Sequence, residues 1–101
     1  MQKVNVYLDD VRSLPYTAFE DEEGRKWILV RDINFCKWLL EQGVVHEMSL
    51  DHDLGIGHPS GYDLVCWMEE TGKWPSGYIN VHSANPVGAQ KMVVAIGRRP
   101  K

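Results

Sequence analysis

Three apolar runs in this chain stop abruptly in polar clusters: "LDDVR" at residues 8–12, "LDHD" at 50–53 and "VHSAN" at 81–85. What lies between them constrains the fold most. "KVNVYL" alternates Val4, Val6 and Leu8 with polar neighbours, and "WILV" (27–30), "VVHEMSL" (44–50) and "GYINVHS" (77–83) read as further strands. The stretch between the second and third strands carries Ile33, Cys36, Leu39 and Leu40 at helical spacing, with Asp32 as N-cap and Gly43 as stop. A second helix is expected after Ser60, which pairs with Asp63 as a capping box, and runs through Leu64, Val65, Trp67 and Met68 to Gly72. Asn85-Pro86 opens a third, with Ala89, Met92, Val93 and Ile96 as its buried stripe. Residues 11–26, with Pro15 and the acidic "EDEEG", show no helical period and read as a long loop. Strands that alternate with helices fold as an α/β layer structure on a mainly parallel sheet.

In such a sheet, ligands bind outside the carboxyl ends of the strands, where the strand order reverses. With the order 2-1-3-4 that crevice lies between strands 1 and 3, so Asp9, Asp10, Asp51 and Asp53 share one small volume, with His82 and Ser83 beside them. One acidic strand end is an ordinary turn feature. Three polar clusters at matching ends point to a positively charged occupant, and several carboxylates together call for a hard divalent ion, Mg²⁺ or Mn²⁺. Arg12 could fork onto phosphate oxygens, and Ser83, Asn85 and the start of the last helix, with Gly88 permitting close approach, form an anion site. His52 or His82 could pass a proton to or from a leaving oxygen.

These motifs, with "GYDLVCW" and "VHSANPVGAQKM", resemble the cyclic-phosphate processing receiver domain family, an offshoot of the receiver fold of two-component signalling. The resemblance implies a receiver-like (flavodoxin-like) three-layer open sheet of four strands, without the fifth strand and last helix of receivers. It also implies that Asp9 and Asp10 match the acidic Mg²⁺ pair, Asp51 the phosphoacceptor and Ser83 the hydroxyl residue. The lysine of the receivers' fifth strand has no counterpart, and His52, Asp53, His82 and Asn85 suit acid–base chemistry instead.

The expected activity is a metal-dependent phosphoesterase that hydrolyses a cyclic phosphate or cyclic nucleotide. Asp51, His52 and His82 are its catalytic candidates, Asp51 either as a metal ligand or as a nucleophile. The rival reading is a binding protein that sequesters such a nucleotide intact, and a third is a degenerate phosphorylation switch.

At 101 residues the chain is expected to form one domain over 1–101. A net charge of −3 argues against double-stranded nucleic acid as partner, and no apolar run reaches membrane-spanning length. Cys36 and Cys66 sit inside helical patterns, which suits reduced core thiols and a cytoplasmic location. Outside the clusters, His46 is expected to be structural, Trp38 and Trp67 part of the core, and His58 solvated, although its loop above the crevice could bring it in. Trp27 and Tyr16, which flank the acidic loop, suit either ordinary packing or stacking on a base. The basic tail of Arg98, Arg99 and Lys101 is a weak candidate for a phosphate contact.

Overall fold

A computed structural model describes residues 2–11 and 20–100; Arg12, Pro15, Tyr16 and Lys101 lie outside the described residues. The elements run β1 (Val4–Leu8), β2 (Trp27–Val30), α1 (Ile33–Glu41), β3 (Val45–Leu50), α2 (Gly61–Thr71), β4 (Ile79–Val81) and α3 (Pro86–Ile96). All strand pairs are parallel and the order is β2-β1-β3-β4, as expected from the sequence. The crossovers β2-to-β3 and β3-to-β4 travel in the same direction along the sheet. Right-handed connections therefore put α1 and α2 on one face. α3 packs beside α2, so the described helices form one layer.

That layer closes over Val6, Leu8, Val30, Met48 and Leu50, which meet Cys36, Leu40, Leu64, Met68 and Met92 in a single apolar cluster. The opposite face carries Tyr7, Ser49 and the His82 side chain, and the connection to β2 includes residues outside the described set. Burial pushes the Cys36 thiol up to about 12, with the Asp32 charge adding to it, so Cys36 is a core residue and not a nucleophile. Among the described residues no helix is long and apolar enough to cross a membrane.

The caps are those anticipated. Asp32 accepts from the Asn34 and Phe35 amides, Ser60 and Asp63 make a reciprocal capping box, and Asn85 Oδ1 accepts from the Gly88 amide. Gly43 and Gly72 take positive φ just beyond α1 and α2, which ends both helices.

Three expectations are corrected. Trp38 is 53% exposed and stacks on Phe35, because Ile33, Cys36, Leu39 and Leu40 define the inward stripe and Trp38 falls outside it. On α3 the inward set is Gly88, Met92 and Ala95 at i, i+4 and i+7, which leaves Val93 outside. β4 is three residues and not seven; before it, Gly77 lies so close to the His46 ring that a Cβ would sit 2.7 Å from Cε1. Of the basic residues at the end of the chain, Arg98 grips Glu69 through two hydrogen bonds of 2.9 and 3.1 Å, and Arg99 donates to the carbonyls of Pro75 and Gly77.

α2 begins against the end of β3. The Gly61 amide donates to the His52 carbonyl at 2.8 Å, and a Cβ on Gly61 would lie 2.0 Å from the Asp51 carbonyl oxygen. Neither backbone can yield, so Gly61→Ala is expected to destabilise the fold by about 1–3 kcal/mol or more. Urea unfolding measures this, and a loss below about 0.5 kcal/mol would mean that the helix start shifts freely.

Candidate functional site

Strand register brings the site together. Leu8 pairs with Val30 on one side and Leu50 on the other, and Leu50 pairs with Val81, so the four strands finish in one row. The next residues are Arg31, Asp9, Asp51 and His82 across the sheet. Their amides, where strand neighbours exist, continue the ladder: Asp9 to Val30, Asp51 to Leu8 and His82 to Leu50. The convergence expected from three polar strand ends is thus a consequence of register and not of loop geometry.

Asp9, Asp10 and Asp51 each bring a carboxylate oxygen to within 4.8 Å of the others. Asp9 is fully buried and Asp51 is 7% exposed. Asp9 Oδ1 accepts from the Val11 amide at 2.9 Å, and Asp51 Oδ1 accepts from the His52 amide at 2.8 Å, which fixes both carboxylates against the backbone. Three hard oxygen donors, two of them withdrawn from water, suit a divalent cation, and the donor set fits the ion that the sequence calls for. Asp53 stands outside this group. Its Oδ1 receives the His52 ring at 2.7 Å and the Asn85 amide at 3.4 Å, and its carboxylate is largely exposed.

The two histidines expected to move protons are both held by protein groups. His82 reaches back across β3: its ring stacks on Tyr7 at 4.3 Å, Nδ1 meets Ser49 Oγ at 2.7 Å, and Nε2 meets Asp9 Oδ2 at 3.1 Å. A histidine that hydrogen-bonds a ligating carboxylate orients it. His52 is pinned by Asp53 and by α3, where a Cβ on Gly88 would fall 2.4 Å from His52 Cγ. The absence of a side chain at Gly88 therefore makes room for His52. The Gly88 amide is already taken by Asn85 Oδ1, and Ser83 Oγ accepts from the Asn85 amide, so a phosphate at this helix start would compete with the cap. Arg12 lies outside the described residues.

A cavity of about 540 Å³ opens beside the carboxylates. Asp10, Asp51, Asp53 and Ser60 give it polar lining, and Val11, Leu54 and Ile56 give it apolar lining. His58 lines it too: it is exposed, as expected of a loop residue, and its loop brings it to the crevice. The reason is the turn that carries it. The His58 amide donates to the Gly55 carbonyl at 3.2 Å, and Gly57 takes φ 80°. The position where Gly55 would carry a Cβ lies 3.2 Å from His58 Cδ2 and 3.8 Å from Asp10 Oδ2, so the imidazole occupies that space beside the carboxylates.

Sequence reasoning also missed Ser49 and Arg31. Ser49 lies inside a strand with no motif to mark it. Arg31, which follows β2, donates from Nη1 to the Asp9 carbonyl at 3.3 Å. The acidic loop is remote from the site. Asp21 binds the Glu23 and Arg25 amides and the Asn5 side chain, and Asn5 lies at the amino-terminal half of β1.

The hydrogen bond from the His52 ring, seconded by Asn85, holds the Asp53 carboxyl below its ordinary value of 3.8. A depressed folded-state value contributes stability above the ordinary Asp range, which is lost as pH falls through the depressed value. In a carboxyl-carbon NMR titration the Asp53 midpoint is expected below 3.8. In Gly88→Ala, where the new methyl displaces the His52 ring, the midpoint should rise toward the ordinary value. An unmoved midpoint would show that Gly88 does not position His52.

The family model described as "Cyclic-phosphate processing Receiver domain" matches residues 4–98. No curated protein and no solved structure matches the chain.

Proposed function

The chain belongs to the cyclic-phosphate processing receiver domain family, and on that footing we propose that it is a metal-dependent phosphoesterase that hydrolyses a cyclic phosphate or cyclic nucleotide. The observation that carries this reading is the set of three carboxylates, Asp9, Asp10 and Asp51, at the side of a cavity of small-molecule size. These residues would hold Mg²⁺ or Mn²⁺. When bound there, the ion would polarise a phosphoryl oxygen and favour ionisation of water.

The chain's own groups then divide the work. Water adds to phosphorus and loses a proton, the ring P–O bond breaks, and the leaving oxygen takes up a proton to give a ring-opened phosphomonoester or phosphodiester. His58 is the proton donor we assign, because its imidazole lies in the cavity while His52 and His82 are committed to carboxylates. His82 keeps Asp9 oriented for the ion, and His52 ties Asp53 to the entry of α3. Arg12, which lies outside the described residues, keeps the phosphate-binding role that the sequence suggests, and a phosphate at Ser83 would have to compete with the cap of α3.

The test is incubation of the protein with Mg²⁺ or Mn²⁺ and a panel of cyclic mono-, di- and trinucleotides, followed by mass spectrometry of the small molecules. A linear product is expected, lost on chelation and in Asp51→Asn. His58→Gln should lower the turnover rate on the order of 10²–10⁴-fold, the range for loss of a general acid. Ligand recovered intact after denaturation would replace catalysis with sequestration. Full activity of the His58 variant would return the proton transfer to His52 or His82.

A further inference from the structure

Two apolar side chains at the rim of the cavity are left in water. Val11, just past the β1 carboxylates, is 77% exposed, and Ile56 is 104% exposed, as much surface as an isolated residue presents. Single exposed aliphatic residues are commonplace on protein surfaces. These two differ because they come from separate segments and line the same cavity as Asp10 and Asp51. Leu54, only 6% exposed, is a third apolar residue of the lining.

Ile56 is held at the rim by the fold of its loop. The hydrogen bond from the His58 amide to the Gly55 carbonyl closes a four-residue turn, with Ile56 as its second residue and Gly57, φ 80°, as its third. A positive φ at that third position is what a type II turn requires and what glycine supplies. Gly55, at φ 105°, sets the direction of entry. The turn therefore presents Ile56 outward.

We propose that Val11 and Ile56 form an apolar clamp that takes the nucleobase of the ligand, so that the substrate class is a nucleotide and not a base-free cyclic phosphate. The proposal rests on the phosphoesterase reading of the same site. A volume of about 540 Å³ exceeds what an ion and a phosphate group fill, and the cavity lining is part acidic and part aliphatic. Its carboxylates suit a cation that carries phosphate, and its rim is aliphatic. A ligand that matches both linings bears an anionic phosphate and, a short distance away, a flat uncharged body with two apolar faces. A nucleobase is such a body, and aliphatic contact with its faces does not depend on which base it is.

Methyl-labelled protein with Mg²⁺ held constant tests this by NMR titration. The probes are adenosine 2′,3′-cyclic phosphate, glycerol 1,2-cyclic phosphate as its base-free counterpart, AMP and inorganic phosphate. The adenine ring current is expected to move the Val11 and Ile56 methyl signals upfield with the nucleotides, and neither base-free compound should do so. Ile56→Ser should weaken nucleotide binding about tenfold, the effect of losing one buried aliphatic side chain, and leave glycerol cyclic phosphate unchanged. Ile56 lies in an exposed turn outside the core, so this variant is expected to fold. If AMP moves the two methyls and no cyclic phosphate binds, the clamp stands and the phosphoesterase reading falls. If no nucleotide moves them, or the variant binds nucleotides as the wild type does, the clamp is overturned.

Discussion

Asp9, Asp10 and Asp51 crowd three carboxylates into a space where their oxygens lie within 4.8 Å of one another. Like charges at that range repel by roughly 3 kcal/mol per ionised pair at an effective dielectric of about 20. Burial of Asp9 and Asp51 adds the cost of withdrawing charge from water. A fold selected for stability alone would not retain this arrangement. Each neighbouring device lowers its cost without removing the charge: the amides of Val11 and His52 cap one oxygen each, and the His82 ring meets the second oxygen of Asp9.

The rest of the architecture delivers those groups to one place. Parallel register ends the four strands in a row, so the residue after each strand joins the site whatever the loops do. Two glycines then bring helices close. Gly61 lets α2 start against the Asp51 carbonyl, and Gly88 lets α3 press on the His52 ring. The short turn at 55–58 adds a further wall, to which His58 and Ile56 both contribute. Stability at the far end of the sheet comes from separate contacts, such as Asp21 with Asn5 and Arg99 with the Pro75 and Gly77 carbonyls, so the two ends are built independently.

Much of this is legible in the residues. Alternating strand and helix patterns, with caps at Asp32, Ser60 and Asn85, fix the element order. Polar clusters that follow three strands locate the site by the order of residues alone. What the residues conceal has physical reasons. The α3 stripe fits either Ala89-Met92-Val93-Ile96 or Gly88-Met92-Ala95 by spacing, and only packing on α2 and His52 selects the second. The role of Gly88 is inverted for the same cause: a missing side chain reads as room for a ligand until the ring that fills the space is seen. For His58 the Gly/Pro loop shows only that the residue could reach the crevice, because the turn that aims it is set by backbone geometry. Ser49 and Arg31 become visible only through cross-strand neighbours, which a single sequence does not display.

The central claim is that the carboxylate cluster is a cation site whose like charges oppose folding until the cation binds. The most direct measurement is the unfolding free energy of wild type and Asp51→Asn, each with and without Mg²⁺. Asparagine keeps the oxygen that accepts from the His52 amide and removes one charge. Without metal the variant should be the more stable protein, by about 1–3 kcal/mol, since one repulsive pair or more is relieved. Mg²⁺ should stabilise the wild type and have much less effect on the variant. A variant that is less stable than wild type without metal, together with a wild type indifferent to Mg²⁺ and Mn²⁺, would contradict the account and make the cluster a structural feature.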